Sequence, residues 1–154
     1  MKELIITLSV IIALASTGIK ANKPMSVDEM ADSCGITSEE FVFLSSVVAA
    51  EDSACLEGQI LVAETIINRA YNNDQFPDCI TGVLCQANQF STVVYSNGYY
   101  HSISSRTASS DQAVLIAFSE FHRGVAPNVI YFNAVNYCYG TPYAEVGGNY
   151  FSVA

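Results

Sequence analysis

Apolar residues in the first third of the chain recur with helical spacing, directly after a cap signal. Thr37 followed by Glu40 has the form of a capping box, in which each side chain accepts a hydrogen bond from the other residue's backbone N–H. Three apolar residues then follow at helical spacing: Phe41, Leu44 and Val48. Together with Glu51, these residues lie within an arc of about 80° around the helix axis. The pattern predicts a helix from residue 37 with a carboxylate on its apolar face.

The next two segments also have helical patterns. A helix is predicted over residues 56–71, and turn residues at 72–74 end it. Its buried face is expected to hold five apolar residues: Ile60, Ala63, Ile66, Ile67 and Ala70. A shorter segment of one or two helical turns is predicted over residues 76–84.

The second half of the chain combines a loop, a helix and short strands. Residues 86–108 are polar and rich in Ser, Tyr and Asn, which favours an extended surface loop. A helix is predicted to start near Ser109, with Gln112 in the position of a capping-box partner. Two β-rich runs, 129–132 and 149–153, indicate one small sheet. The predicted fold class is therefore α+β, a mainly helical domain with a small β element.

The N-terminal residues have the pattern of an export signal. Lys2 provides a positive start, and an apolar run over residues 4–14 precedes small residues. This run is too short to span a bilayer comfortably. We interpret residues 1–21 as a signal peptide, 22–36 as a polar linker and 37–154 as the folded domain. We expect a secreted or cell-wall-associated protein, and the alternative is an anchor formed by an uncleaved N-terminal segment.

Charge and composition exclude some classes of partner. Half of the 154 residues are hydrophobic, so a packed core is expected. The 6 basic residues are outnumbered by 15 acidic ones, which gives a net charge of −9. Nucleic-acid binding requires clustered Lys and Arg and is not expected. Binding to an anionic cell wall would likewise depend on groove contacts and not on electrostatic attraction.

The cysteines and histidines give no sign of a metal or cofactor site. Export would allow disulfides, but the five cysteines are an odd number, so at least one thiol is unpaired or bonds another chain. There is no CxxC motif and no His near a cysteine, which argues against zinc. His101 and His122 are isolated from each other, and we interpret both as surface or core residues. No cofactor is predicted.

Glu51 is the candidate catalytic residue. Burial on the apolar stripe and the negative end of the helix dipole would both raise the pKa of its carboxyl. An acid that keeps its proton near neutral pH can protonate a glycosidic oxygen. The alternative is a helix-end Glu that turns to solvent. Among other acids, Glu57 lies at a helix start, where the charged form is favoured, and Glu64 could pair with Arg69 or face solvent. No second catalytic carboxylate is evident.

Several short motifs follow one another from residue 48 to the C-terminus. They are Val48-Ala49-Ala50-Glu51, Glu57-Gly58-Gln59, Ala63, Ile66-Ile67-Asn68-Arg69, Phe76-Pro77-Asp78-Cys79-Ile80-Thr81-Gly82-Val83, Gln86, Gln89-Phe90-Ser91, Tyr131-Phe132-Asn133 and Gly147-Gly148-Asn149-Tyr150-Phe151. In this order and spacing they resemble the spore-cortex-lytic (SleB-type) cell wall hydrolase family. The resemblance covers roughly residues 40–154.

The resemblance implies a lysozyme-like α+β domain that binds peptidoglycan glycan strands in a groove. It also implies cleavage between N-acetylmuramic acid and N-acetylglucosamine, usually as a lytic transglycosylase, and Glu51 falls on the family's catalytic glutamate. A single carboxylate suffices for that reaction because the nucleophile is the 6-hydroxyl of the substrate itself. The candidate groove residues, for which turn chemistry or core packing is the alternative, are Gln89, Ser91, Tyr131, Asn133 and Tyr143.

The chain also departs from the family pattern. The turn between Glu51 and Glu57 is one residue shorter than usual, and an acid common in that turn is missing. Asn149 stands where a His is common, and Cys55 near the shortened turn could be tied to Cys85 or Cys138. A non-catalytic module that binds the cell wall is therefore an alternative to an enzyme. A third is a secreted, disulfide-stabilised interaction protein. A membrane partner is expected only through an uncleaved N-terminal segment.

Overall fold

Five helices and five strands make up residues 23–154, the part of the chain described in the computed structural model. Residues 1–22, which include the predicted signal peptide, lie outside it. The helices are α1 (Val27–Cys34), α2 (Ser38–Glu51), α3 (Leu56–Asn72), α4 (Ile80–Leu84) and α5 (Ala108–His122). The strands are β1 (Val93–Ser96), β2 (Tyr99–Ser102), β3 (Val129–Asn133), β4 (Thr141–Val146) and β5 (Asn149–Val153). The predicted class, mainly helical α+β, is confirmed.

The long helices follow the predicted pattern. The backbone N–H of Glu40 donates to the Thr37 hydroxyl at 3.1 Å, and the Glu40 carboxylate accepts from the backbone N–H of Thr37 at 3.1 Å. This capping box starts α2, which ends at Glu51. Helix α3 is the central element, because it packs against α2, α4, α5 and β3 and is buried without interruption over residues 61–70. It thereby joins the helical layer to the sheet.

The predicted polar linker over residues 22–36 is wrong for most of its length. Ser26 and Glu29 form a capping box that starts α1. Met30, Ala31 and Cys34 of this helix are buried against α2 and α5. The short helix carries few apolar residues, and only its contact with the longer helices stabilises it.

The predicted loop over residues 86–108 contains a β-hairpin. Strands β1 and β2 are antiparallel, with Tyr95 opposite Tyr100. Asn97 and Gly98 form the turn with positive φ values of 53° and 89°, which the Asn-Gly sequence favours. Helix α5 follows with a capping box between Thr107 and Ser110, so the predicted role of Gln112 is wrong.

The second sheet has three antiparallel strands in the order β3–β5–β4. The two predicted β runs form β3 and the central strand β5, where Phe151 is fully buried. Strand β4 was not predicted, because as an edge strand it is largely exposed and lacks a buried apolar face. It turns into β5 through Gly147 and Gly148.

No disulfide joins any cysteines of the described part of the chain, so the predicted tie of Cys55 to Cys85 or Cys138 is not present. Two thiols act instead as helix caps. The sulfur of Cys55 accepts from the backbone N–H of Gly58 at 3.4 Å, and that of Cys79 accepts from Gly82 at 3.3 Å. Over residues 23–154, no helix combines the length and the apolar character that crossing a membrane requires.

Glu64 is an acid inside the core, and it neither pairs with Arg69 nor faces solvent as predicted. It lies on α3 with 2% of its surface exposed, and no described residue donates a hydrogen bond to its carboxylate. Burial, together with the adjacent carboxylate of Glu120 on α5, raises the pKa of Glu64 to about 9. The protonated Glu64 is thus the form that fits between α3 and α5.

Because the folded protein keeps a proton on Glu64, its stability should depend on pH. Between the ordinary pKa of 4.5 and about 9, the folded state keeps a proton that the unfolded state has lost, so the free energy of unfolding falls as pH rises. Each unit of pKa difference corresponds to about 1.4 kcal/mol. In Glu64→Gln the neutral amide does not titrate, so this loss of stability with pH is absent. We therefore expect Tm to fall less between pH 5 and pH 9 than in the wild type. The exposed Asp74→Asn is the control, and parallel wild-type and Glu64→Gln curves would contradict the assignment.

Candidate active site

Glu51 is the last residue of α2, and its side chain is partly exposed. The Thr92 hydroxyl donates to Oε1 of its carboxylate. The side chain of Asn149, at the start of β5, donates to the main-chain oxygen of Glu51 at 3.3 Å. Burial raises the pKa of the Glu51 carboxyl, and hydrogen bonds from Thr92 oppose that rise. The position therefore combines a raised pKa with access to solvent, which suits a proton donor.

The next residue, Asp52, fixes the turn after α2. Its side chain is buried, and Oδ1 accepts from the backbone N–H of Ala54 at 2.8 Å and of Cys55 at 3.3 Å. Its main-chain oxygen accepts from the amide of Gln59 at 2.8 Å. The shortened turn is thus closed by its own aspartate, and Glu51 is held at the helix end.

Two glycines enclose the other oxygen of Asp52. A Cβ on Gly58 would lie 1.8 Å from Oδ2, and a Cβ on Gly147 would lie 1.9 Å from it. Gly58 belongs to the first turn of α3 and Gly147 to the β4–β5 turn. Oδ2 is shielded from water and has no hydrogen-bond donor within residues 23–154. Asp52 therefore points away from the reactive position of Glu51 and joins three elements behind it.

A cavity of about 460 Å³ is lined by residues of α3, β3 and β5 and of the loops around them. Gln89, Tyr131 and Asn133, three of the predicted groove residues, contribute to its lining. Other lining residues include Arg69, Tyr139, Tyr150 and Ser152. Glu51 does not line this cavity, and neither do its hydrogen-bond partners Thr92 and Asn149, although both lie close along the chain to the lining residues Gln89 and Tyr150. We refer to this cavity as the cleft.

The two remaining predicted groove residues lie outside the cleft lining. Ser91 is exposed between the cleft wall and Thr92. Tyr143 is exposed on β4, and burial together with the carboxylates of Glu64 and Glu120 raises the pKa of its hydroxyl. Tyr143 does not line the cleft, and its role as a groove residue stays a prediction.

Arg69 holds one wall of the cleft in place. Its guanidinium donates to the main-chain oxygen of Ile130 at 2.8 Å and to the side chain of Gln89 at 3.3 Å, and it lies over the Phe76 ring at 4.8 Å. Asn68 donates to the main-chain oxygens of Pro127 and Val129. These contacts give both residues a structural role.

Sequence reasoning missed Thr92, Asp52 and the contact made by Asn149. The contacts of Thr92 and Asn149 join segments far apart in the chain, 41 and 98 residues from Glu51, and the enclosure of Asp52 by Gly147 also depends on a distant segment. No periodicity encodes such a contact. The only local signal was the position of Thr92 directly after Gln89-Phe90-Ser91.

Most of the cleft lining, apart from Arg69, Phe76, Tyr150 and Ser152, comes from two segments without formal charge. Residues 79–105 and 124–144 contain no Asp, Glu, Lys or Arg, although the chain has a net charge of −9. Tyrosines, amides and hydroxyls take their place. Such a surface suits a neutral polar ligand such as a sugar.

Comparison with known proteins assigns the chain to a family. Residues 53–151, nearly two thirds of the chain, match the family described as Cell Wall Hydrolase. The chain belongs to this family, and the predicted relationship is confirmed. The matched range begins two residues after Glu51, so the role of Glu51 rests on its geometry.

A solved structure has a similar fold. It is the catalytic domain of the SleB protein of Bacillus cereus, whose sequence is 20% identical to this chain. The superposition covers 88% of this chain and 99% of that chain, with a TM-score of 0.58. At this identity the similarity establishes the fold. A search of curated proteins found no match.

The enclosure of Asp52 predicts a difference between two adjacent glycines. Gly147→Ala would place a Cβ against Oδ2, whereas Gly148 has the same positive φ region but nothing within 4 Å of an added Cβ. We expect Gly147→Ala to lower the free energy of unfolding by about 1–3 kcal/mol more than Gly148→Ala, measured by chemical denaturation. In proteins that also carry Asp52→Ala, the difference between Gly147→Ala and Gly148→Ala should be much smaller. Equal losses for both glycines would contradict the described contact.

Proposed function

We propose that the chain cleaves peptidoglycan glycan strands between N-acetylmuramic acid and N-acetylglucosamine, as a lytic transglycosylase, with Glu51 as acid and base. The observation that carries the proposal is the Glu51 carboxyl, which is partly exposed, has a raised pKa and accepts a hydrogen bond from the Thr92 hydroxyl. Membership of the cell wall hydrolase family supports the substrate class.

One carboxyl can perform both steps of this reaction. The protonated Glu51 donates to the glycosidic oxygen as the bond to the anomeric carbon breaks. The resulting carboxylate then accepts the proton of the muramic acid 6-hydroxyl, whose oxygen bonds the anomeric carbon to give a 1,6-anhydro product. The nucleophile belongs to the substrate, so its attack is intramolecular. Glu51 ends the cycle protonated again.

The arrangement of Asp52 favours this mechanism over one with two carboxylates. Retaining and inverting glycosidases use a pair of acids across the scissile bond. Asp52 is the neighbouring acid, but its oxygens are occupied by the turn and enclosed by Gly58 and Gly147. It is therefore unable to serve as the second acid.

The cleft residues would bind the sugars around the cleaved bond. Gln89 and Asn133 offer amides for acetamido groups, and the ring of Tyr131 can pack on a sugar face. Arg69 fixes the side chain of Gln89, so this wall is organised before substrate binds.

The first test is to incubate the protein with purified peptidoglycan and analyse the fragments by mass spectrometry. We expect anhydro-muramic ends from the wild type and at least about a 100-fold lower rate from Glu51→Gln, which cannot transfer the proton. The control is Glu57→Gln, an exposed acid at the start of α3.

Other products would change the conclusion. Reducing muramic acid ends would indicate hydrolysis and overturn the transglycosylase assignment. Binding without cleavage by the wild type would indicate a module that binds the cell wall. Full activity in Glu51→Gln would remove Glu51 from the mechanism.

A second test uses the pH dependence of the rate. The hydrogen bond from Thr92 lowers the pKa of Glu51, so Thr92→Val, which keeps the shape but loses the hydroxyl, should raise it. Because Glu51 must start protonated, activity declines as pH rises through this pKa. We therefore expect the alkaline limb of the pH–rate profile to move to higher pH in Thr92→Val. A limb that stays in place or moves to lower pH would contradict the assignment.

A further inference from the structure

Another cavity, of about 920 Å³, lies between α2 and the β1–β2 hairpin. We refer to it as the α2–hairpin groove. Its lining includes three residues of α2 and three of β2: Val42, Phe43, Ser46, Tyr99, Tyr100 and Ser102. None of the predicted site residues lines it. Its size is within the range of small-ligand sites.

The groove offers both kinds of contact that a sugar ring uses. Its base on α2 presents the apolar side chains of Val42 and Phe43 beside Ser38, Glu39 and Ser46, and Val42 is 39% exposed there. Its wall on β2 carries tyrosine rings and serine hydroxyls. Pyranose rings have an apolar face and a rim of hydroxyls, so they can stack on tyrosine and bond serine at the same time.

The β1–β2 hairpin carries three exposed tyrosines. Tyr95, Tyr99 and Tyr100 are 63%, 58% and 47% exposed. The rings of Tyr95 and Tyr100 form a cross-strand pair with centroids 4.9 Å apart. An exposed aromatic patch of this kind marks a binding surface.

Hydrogen bonds connect the groove to the catalytic position. The hydroxyl of Ser102 donates to the main-chain oxygen of Ser46 at 3.1 Å, which fixes β2 against α2. The backbone N–H of Ile103 donates to the main-chain oxygen of Thr92 at 2.8 Å, and the Thr92 hydroxyl donates to Glu51. A polymer lying in the groove would thus be held at a fixed position relative to Glu51.

We propose that the α2–hairpin groove binds a stretch of the β-1,4-linked glycan strand that is not being cut. The identity of the polymer rests on the function proposed above. The groove lining has only two charged residues, Glu39 and Arg106, and the hairpin has no Asp, Glu, Lys or Arg, which favours the sugar backbone over the charged peptide stems. Arg106 at the far end of the groove is already paired with Asp111.

The test measures binding of chitohexaose, a neutral β-1,4-linked N-acetylglucosamine oligomer, by calorimetry in the Glu51→Gln protein. We expect Tyr100→Ala and Val42→Asp each to weaken binding about tenfold, which corresponds to the loss of one good stacking contact. Tyr100→Phe keeps the ring and should retain most of the affinity. Tyr71→Ala, at an exposed tyrosine on α3 far along the chain from the groove, is the control. Val42 lies on α2, so its variant tests the groove without altering the hairpin.

The outcomes separate this proposal from the catalytic one. Wild-type affinity in both Tyr100→Ala and Val42→Asp would overturn the groove. The groove proposal would also fail if these two variants bound whole peptidoglycan more weakly but bound chitohexaose as well as before. That result would identify the occupant as a peptide stem. If the wild type yields no cleaved fragments but the two variants bind chitohexaose poorly, the groove stands and the enzyme proposal fails.

Discussion

The carboxylate of Asp52 is the contact on which the arrangement of the candidate site depends. One oxygen closes the turn between α2 and α3, and the other fills a space that two glycines leave open. The helix that carries Glu51, the helix that forms the core and the turn of the sheet therefore meet at one buried group. Close packing of this kind has little room to adjust, so it fixes the direction in which Glu51 points.

Local interactions made the helical part of the fold predictable. The capping box at Thr37 and Glu40 and the apolar spacing after it involve residues within a few positions of one another. Elements that depend on distant partners were not predictable in the same way. Helix α1 is stabilised by α2 and α5, and β4 by its pairing with β5. The Asn-Gly turn of the hairpin was a local signal, but the polar composition around it favoured a loop.

The candidate site was predictable to a similar extent. Glu51 was identified because its position on an apolar stripe and at a helix end both follow from sequence. The Thr92 contact with its carboxylate forms only when the chain is folded, as does the cleft wall built from Gln89, Tyr131 and Asn133. Tyr143 lies outside the cleft lining, on a largely exposed edge strand whose sequence gives no indication of which face a side chain occupies.

The cysteines of this domain have a consequence for how it can be made. Two of the thiols serve as weak hydrogen-bond acceptors at helix starts, and the buried Cys34 is packed as a small apolar residue. Covalent cross-linking contributes nothing to the described architecture. A reducing buffer therefore removes no covalent cross-link from residues 23–154 while the domain is made and purified.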